Sequence, residues 1–306
     1  MMMTEPLQFT GLRGKLGRDE PLARHTSWRC GGRAELAYVP ADRDDLAAFV
    51  RQLSPGAQLM AIGLGSNVLV RDGGVQGAVV LLHNPGGALA VADGLIYAEA
   101  GVASPKLARF AASHGCAGAE FLAGVPGTVG GALAMNAGCY GGETWRHVAR
   151  VEVLLRDGSF AVRTPADYAI GYRTVRLAND AALDGIFTAA WFRFPQGDGT
   201  QARARIRELL TKRIATQPLN LPNAGSVFRN PAGDHAARLI EQCGLKGYAI
   251  GGARVSEKHA NFIVNPDGKA TAADIEALIV HVRAVVAERA GVTLEPEVQI
   301  VGEHAT

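Results

Sequence analysis

Between Phe121 and Gly142 the chain reads FLAGVPGTVGGALAMNAGCYGG, with seven glycines, Pro126 and no charged side chain. Glycine loses more conformational freedom on folding than any other residue, so a cluster this dense needs unusual backbone angles or close approach to a ligand. Successive free amides form an anion-binding concavity without help from Lys or Arg, which makes phosphate the fitting ligand. A core role fits worse, because Gly127, Gly130 and Gly131 offer no side chain to pack. The stretch is read as a phosphate-binding loop, with a tight structural turn as the alternative.

Around this loop lie 306 residues, enough for two or three domains with cores of their own. An apolar share of 48% and a charged share of 20% exclude a disordered chain. The net charge of +2 and the scattered basic residues give no footprint for nucleic acid. Cys30, Cys116, Cys139 and Cys243 are far apart and form no C-x-x-C pair, and the N-terminus lacks a secretory pattern. They are expected to be reduced, mostly buried thiols of a cytoplasmic protein. No apolar run reaches the roughly 18 residues of a membrane span. The histidines show no metal-ligand spacing, and no metal is expected.

Taken in order, residues 1–20 read as a loose polar lead-in, and Ala34–Val39 as a strand. Leu46, Phe49, Val50 and Leu53 recur at helical spacing, so a helix is expected over Asp42–Leu53. Leu59–Val70 reads as strand, glycine turn, strand. Gly63-x-Gly65 is not a dinucleotide fingerprint of the Rossmann kind, since Ser66-Asn67 and then Val68-Leu69-Val70 follow instead of a third glycine and a helix. Such a small polar turn still suits a diphosphate. Ser104-Pro105 opens a helix with Ser104 as cap and Leu107, Phe110, Ala111 and His114 inward. Asp157-Gly158 joins a hairpin, and Ile186–Phe194 is another strand. A polar linker at 195–200 marks a domain boundary. Beyond it come a basic helix over Ala202–Ile214, a short helix over Asp234–Cys243 and a strand over Phe262–Val264. Thr271-x-x-Asp274 then starts a long helix that Gly291 stops, and Val292–Val301 is the last strand. Strands before residue 200 and mixed elements after it argue for an α+β protein.

Three polar residues stand in apolar or glycine-rich surroundings: Arg173 in GYRT, Ser226 in NAGSVF and Glu297 in LEPEVQ. Taken singly, each reads more readily as a surface arginine, a turn serine and an outward strand carboxylate. Arg229-Asn230 follows the serine, and Ser256, Lys258, His259 and Asn261 crowd ahead of a strand. Together these form a polar cluster able to face a phosphate-bearing substrate across the glycine loop.

Six motifs occur together and in order: GLGSNVLVRDGG (63–74), GVPGTVGGALAMNAG (124–138), GYR (171–173), NAGSVFRNP (223–231), GGARVSEKHANFIVN (251–265) and LEPEVQIVG (294–302). In these the chain resembles the UDP-N-acetylenolpyruvoylglucosamine reductases, from about Thr26 to Gly302. The resemblance implies a two-lobed FAD-binding domain of the vanillyl-alcohol-oxidase type over 21–199, with lobes of about 21–84 and 85–199. It also implies an α+β substrate-binding domain over 200–306. It assigns Gly63, Gly65, Ser66, Asn67, Pro126, Gly127, Thr128, Gly130, Gly131 and Asn136 to FAD. Ser226 becomes the proton donor, with Arg173 and Glu297 as its catalytic partners, and Asn230, Tyr172, Arg229, Lys258 and His259 serve the substrate. NADPH would reduce FAD, and UDP-N-acetylglucosamine-enolpyruvate would then take the hydride, in peptidoglycan synthesis by a cytoplasmic monomer without nucleic-acid or membrane partners. Glu297 can assist only when protonated, so burial is expected to raise its pKa. An FAD-dependent alcohol or sugar oxidase on the same fold is the competing reading. The spacing from Tyr172 to residue 195 leaves no room for the substrate-capping insert of the family's longer form. Thr216 stands where a basic residue is expected, leaving Lys212, Arg213 or Lys246 to supply that charge. Arg229 replaces a lysine.

Overall fold

A computed structural model describes residues 9–84 and 86–305. The first lobe comprises β1 (Lys15–Pro21), β2 (Arg33–Val39), α1 (Arg43–Arg51), β3 (Leu59–Ile62), β4 (Val68–Val70) and β5 (Val75–Leu81). Its sheet runs β1-β2-β5-β3, antiparallel at β1/β2 and parallel elsewhere. Asp42 caps α1, accepting from the Asp45 amide, and Leu46, Phe49 and Val50 bury one face of the helix. Phe49 stacks on Tyr38 of β2 with ring centroids 4.3 Å apart. Residues 15–20 are therefore not a loose lead-in; they pair with β2 from Lys15↔Val39 to Pro21↔Arg33. Residues 1–8 of that segment lie outside the described residues. An edge strand held by backbone hydrogen bonds needs no apolar alternation, so KLGRDEP carries no signal in its hydropathy.

The second lobe holds β6 (Leu89–Ala92), β7 (Leu95–Glu99), α2 (Ser104–Ser113), α3 (Val129–Ala134), β8 (Gly138–Cys139) and β9 (Gly142–Glu143). It continues with β10 (Val148–Leu155), β11 (Phe160–Arg163), β12 (Tyr168–Gly171), β13 (Thr174–Leu177) and β14 (Gly185–Phe192). Five of these strands make an antiparallel sheet in the order β11-β10-β14-β7-β6. In α2 the cap is Ala103, Pro105 sits one position later than expected, and His114 ends the helix at the surface. Its buried stripe is Leu107, Ala108, Ala111 and Ala112. The long helix α4 (Gly199–Thr216) buries Ala202 and Ile206 in the same core as α2, α3 and this sheet.

The third unit carries α5 (Ala236–Gln242), β15 (Ala249–Ile250), β16 (Ala253–Val255), β17 (Ile263–Val264), α6 (Ala272–Ala290) and β18 (Gln299–Val301). The Thr271/Asp274 capping box and Gly291, at φ +67°, bound α6 as its sequence predicts. A second cap comes from the first lobe, where the Asp72 carboxylate accepts from the Ala272 and Ala273 amides at 2.9 and 2.8 Å. The last strand is shorter than expected: only Gln299–Val301 pair, in parallel with β4. Glu297 lies ahead of it, next to Pro296, which has no N–H to extend a ladder. The core of this unit also takes Trp28, Cys30 and Leu69 from the first lobe. Among the described residues no helix is long and apolar enough to cross a membrane.

Candidate active site

The two glycine turns meet. A Cβ on Gly127 would sit 3.3 Å from the Ser66 hydroxyl, and one on Gly63 would run into the Thr128 side chain. Gly65 takes φ +58°, so the turn between β3 and β4 needs a residue free of the Cβ penalty. Thr128 caps α3, its hydroxyl accepting from the Gly131 amide at 3.4 Å. Among the described residues the amides of Leu64, Gly65, Ser66 and Asn67 meet no acceptor, nor do those of Gly127 and Thr128. Two adjoining glycine turns that both carry N–H groups without an acceptor suit an anion such as a diphosphate. Gly130 takes no part through its amide, which bonds the Ala100 carbonyl at 2.9 Å.

Asn136 is placed elsewhere. It is buried at φ +42°, and its side chain is consumed within the protein: Nδ2 donates to the Gly171 carbonyl at 3.0 Å and Oδ1 accepts from the Trp145 amide at 3.1 Å. It thereby braces the β12–β13 turn, in which Arg173 stands at φ +54°. From there the Arg173 Nε donates to Glu297 Oε1 at 2.5 Å and Nη2 to the Gly138 carbonyl at 2.7 Å. The guanidinium is thus fixed on two sides, by a carboxylate and by a backbone oxygen.

Glu297 is held from three directions. Its amide donates to the Val227 carbonyl at 2.7 Å, and its carbonyl accepts from Asn67 Nδ2 at 3.1 Å. The second bond ties it to the first glycine turn across more than two hundred residues, a link no local sequence pattern announces. Burial pushes the Glu297 carboxyl above the usual carboxylate range, while Arg173, through its charge and hydrogen bond, and Arg229 pull the other way. Desolvation prevails, as expected where a carboxyl loses its water.

Ser226 follows Gly225 (φ +76°) in a half-buried turn, and its hydroxyl has no partner among the described residues. The turn is pinned through Val227, whose amide bonds the Asn261 carbonyl at 3.0 Å and whose carbonyl holds Glu297. Arg229 and Glu297 fall on one face of the short pairing of Phe228 with Pro296. The exposed Tyr172 ring lies between two guanidinium groups, 5.2 Å from Arg173 and 5.9 Å from Arg229. Arg229 pairs loosely with Glu295 at 3.9 Å, and its Nε is buried without a partner. The turn carrying Arg173 and Tyr172, the serine loop and the segment before β18 therefore converge. Asn230 stands apart beside the start of α5, whose N-cap is His235, its Oδ1 accepting from the Ala236 amide at 3.1 Å. Lys258 donates to the Ile214 carbonyl of α4 at 2.6 Å, and His259 packs edge-on against Phe262; among the described residues no hydrogen bond or ion pair joins either to Arg173 or Glu297. Burial holds the His259 imidazole below its ordinary pKa.

Two α+β lobes whose glycine turns meet, with a third unit bringing a half-buried acid against a fixed guanidinium, have the arrangement of a flavin-dependent enzyme. The comparisons agree. Residues 34–162 match the FAD binding domain family, and residues 217–301 match the UDP-N-acetylenolpyruvoylglucosamine reductase C-terminal domain. A UDP-N-acetylenolpyruvoylglucosamine reductase of Thiobacillus denitrificans is 56% identical, over 96% of this chain and 94% of its own length. One of Nitrosospira multiformis is 53% identical, over 98% and 92%. The crystal structure of the enzyme from Thermus caldophilus superposes with a TM-score of 0.77 at 33% identity, over 94% of this chain and 99% of that one. The chain belongs to the UDP-N-acetylenolpyruvoylglucosamine reductase family.

Proposed function

We propose that the protein reduces the enolpyruvyl ether of UDP-N-acetylglucosamine-enolpyruvate to UDP-N-acetylmuramate, a cytoplasmic step of peptidoglycan synthesis, working as a monomer. The reading is carried by the 2.5 Å contact of Arg173 with a Glu297 whose carboxyl burial has raised. The free amides of residues 64–67 and 127–128 would hold the diphosphate of FAD, next to Pro126 and Gly131, while Gly63 and Gly130 let the backbone close on Thr128 and Ala100. Bound there, FAD supplies the hydride carrier between NADPH and the enolpyruvyl double bond.

The chain's own residues manage charge and protons. Addition to that double bond drives negative charge into the substrate carboxylate. Arg173 stabilises it with a planar fork already held in place, so little reorganisation is needed as the charge develops. Glu297 donates to the same oxyanion in its protonated form, which burial favours and the Arg173 and Arg229 charges oppose. Ser226 then delivers a proton to the neighbouring carbon; a hydroxyl can do so only to a strongly basic enolate. Tyr172, Arg229, Lys258 and His259 face the sugar nucleotide, as does Asn230 through the Nδ2 that its bond to the Ala236 amide leaves free. In this division residues 21–199 carry the flavin and 200–306 the substrate, although α4 packs with the former.

The test is an anaerobic titration followed by the flavin spectrum. NADPH should bleach it, and UDP-N-acetylglucosamine-enolpyruvate should restore it without oxygen. Recovery with oxygen alone would mean an oxidase. Ser226→Ala should keep the flavin and its bleaching by NADPH and lose the second step; unchanged turnover would remove Ser226 from the mechanism.

A further inference from the structure

Both glycine motifs end in an asparagine, Asn67 in the first and Asn136 in the second, and each side chain is spent inside the protein. Asn136 holds the Gly171 carbonyl, two residues before Arg173. Asn67 holds the Glu297 carbonyl. Each half of the Arg173–Glu297 pair is thus fixed from one glycine motif.

The bond from Asn67 is the more informative, because of the ladder it completes. Strands β4 and β18 pair in parallel, with Gln299 opposite Val68, and the Gln299 amide donates to the Asn67 carbonyl at 3.0 Å. Parallel ladders are evenly spaced, so the next bond toward the glycine turn would run from the Asn67 amide to the Glu297 carbonyl. It is not made. Asn67 Nδ2 donates to that carbonyl at 3.1 Å instead, and among the described residues the Asn67 amide meets no acceptor. The side chain has taken over the bond of its own main chain. One residue therefore grips Val298 from both sides while its amide stays with those of residues 64–66, free for an anion. Val298 is buried in the core of the third unit, so the grip fixes the segment that carries Glu297.

We propose that Asn67 is a positioning residue that couples an occupied flavin turn to the placement of the Glu297 carboxyl. The proposal rests on the reductase reading. With the turn empty, the amide and Nδ2 of Asn67 compete for one carbonyl. With an anion on the amide, only Nδ2 serves Glu297, and the segment settles in a single arrangement. Coupling of this kind is reciprocal: whatever loosens the segment weakens the flavin by the same factor. The carboxyl is surrounded by Tyr172 and Arg173 of the β12–β13 turn and by Arg229 of the serine loop. A loosened segment returns water to it while those arginines remain, and its pKa falls.

The experiment uses the full chain, Asn67→Ala and Asn67→Gln, the second keeping a side-chain donor. Hydrogen exchange of the peptide spanning residues 294–301 is measured with and without FAD, together with FAD affinity and the pH profile of the substrate half-reaction. In the parent, FAD should slow exchange of that peptide about tenfold or more. Asn67→Ala should lose most of this protection and bind FAD more weakly by a matching factor. Saturated with FAD, it should be reduced by NADPH at close to the parent's rate and pass hydride to substrate about tenfold more slowly. The falling limb of that step should move to lower pH, opposite to a change at Arg229. Asn67→Gln should recover part of each effect. No FAD-dependent protection in the parent would overturn the proposal without any variant. So would an Asn67→Ala protein that loses FAD yet, once saturated, keeps the parent's rate and pH profile, since the side chain would then be a flavin contact. Exchange and FAD affinity need no sugar nucleotide, so a parent that fails to turn over the enolpyruvyl substrate counts against the reductase reading alone.

Discussion

Asn136 donates from Nδ2 to the Gly171 carbonyl at 3.0 Å, and on that bond rests the turn from which Arg173 reaches Glu297. A residue at the edge of the glycine stretch is in this way a support for the guanidinium that meets Glu297. Asn136→Ala would leave the Gly171 carbonyl and the Trp145 amide unsatisfied inside the protein. A loss of about 3 kcal/mol is expected in denaturant unfolding, with turnover falling at least tenfold in what remains folded. FAD retention should change less than turnover does.

Arg173→Lys keeps the charge and loses the geometry. A lysine has one nitrogen, and cannot hold Glu297 and the Gly138 carbonyl while presenting a fork to the substrate. Removing one preorganised donor to a developing oxyanion costs on the order of 10²–10³ in rate. That loss should appear in the substrate half-reaction, with flavin reduction by NADPH close to the parent's in stopped-flow traces.

The raised carboxyl of Glu297 carries an expected pH response. Its folded pKa is raised above the unfolded value, so the stability it contributes is full below the ordinary carboxylate range. That contribution is lost as pH rises through the folded value. Turnover should fall through the same window, because the ionised form no longer donates. Arg229 is one of the charges holding that value down, and Arg229→Gln should move the falling limb of the kcat profile to higher pH. Arg229→Lys should restore its position; a limb unmoved in both would assign it to another group.

Gly63→Ala adds a methyl group where the Thr128 side chain already lies. The two turns must separate, and FAD affinity should drop by an order of magnitude or more in a reconstitution assay. Thr128→Ala in the same chain should recover part of that affinity, since it clears most of the obstruction.

Asp72 caps α6 from the neighbouring lobe, beside the Arg71–Glu276 pair at 2.8 Å. Asp72→Ala should lower stability by about 1–2 kcal/mol, as loss of a cap does, measured as a shift in the thermal midpoint.

What could be read in the sequence was what local chemistry dictates. The Thr271/Asp274 box, the Asp157-Gly158 hairpin and the terminal Gly291 each act within a few residues, and each stands where the residues place it. The glycine turns also announced themselves, because few other roles need so many residues without side chains. What escaped depends on partners distant in the chain. β1 is polar and held by backbone alone, and β6 is four residues of a mostly exposed edge. The end of Glu297's segment is set by Val227 and Asn67, not by its own alternation. Asn136 belongs by sequence to the phosphate loop and by contact to the turn of Arg173.

The parallel pairing of β18 with β4 has a consequence for how the protein comes into being. The strand docks beside a turn made more than two hundred residues earlier. The sheets of the first two lobes use no residue beyond 192, so they can form before Glu297 is synthesised. The order of events is therefore built in: the two glycine turns can meet before Glu297 is there to tie the first of them to Arg173.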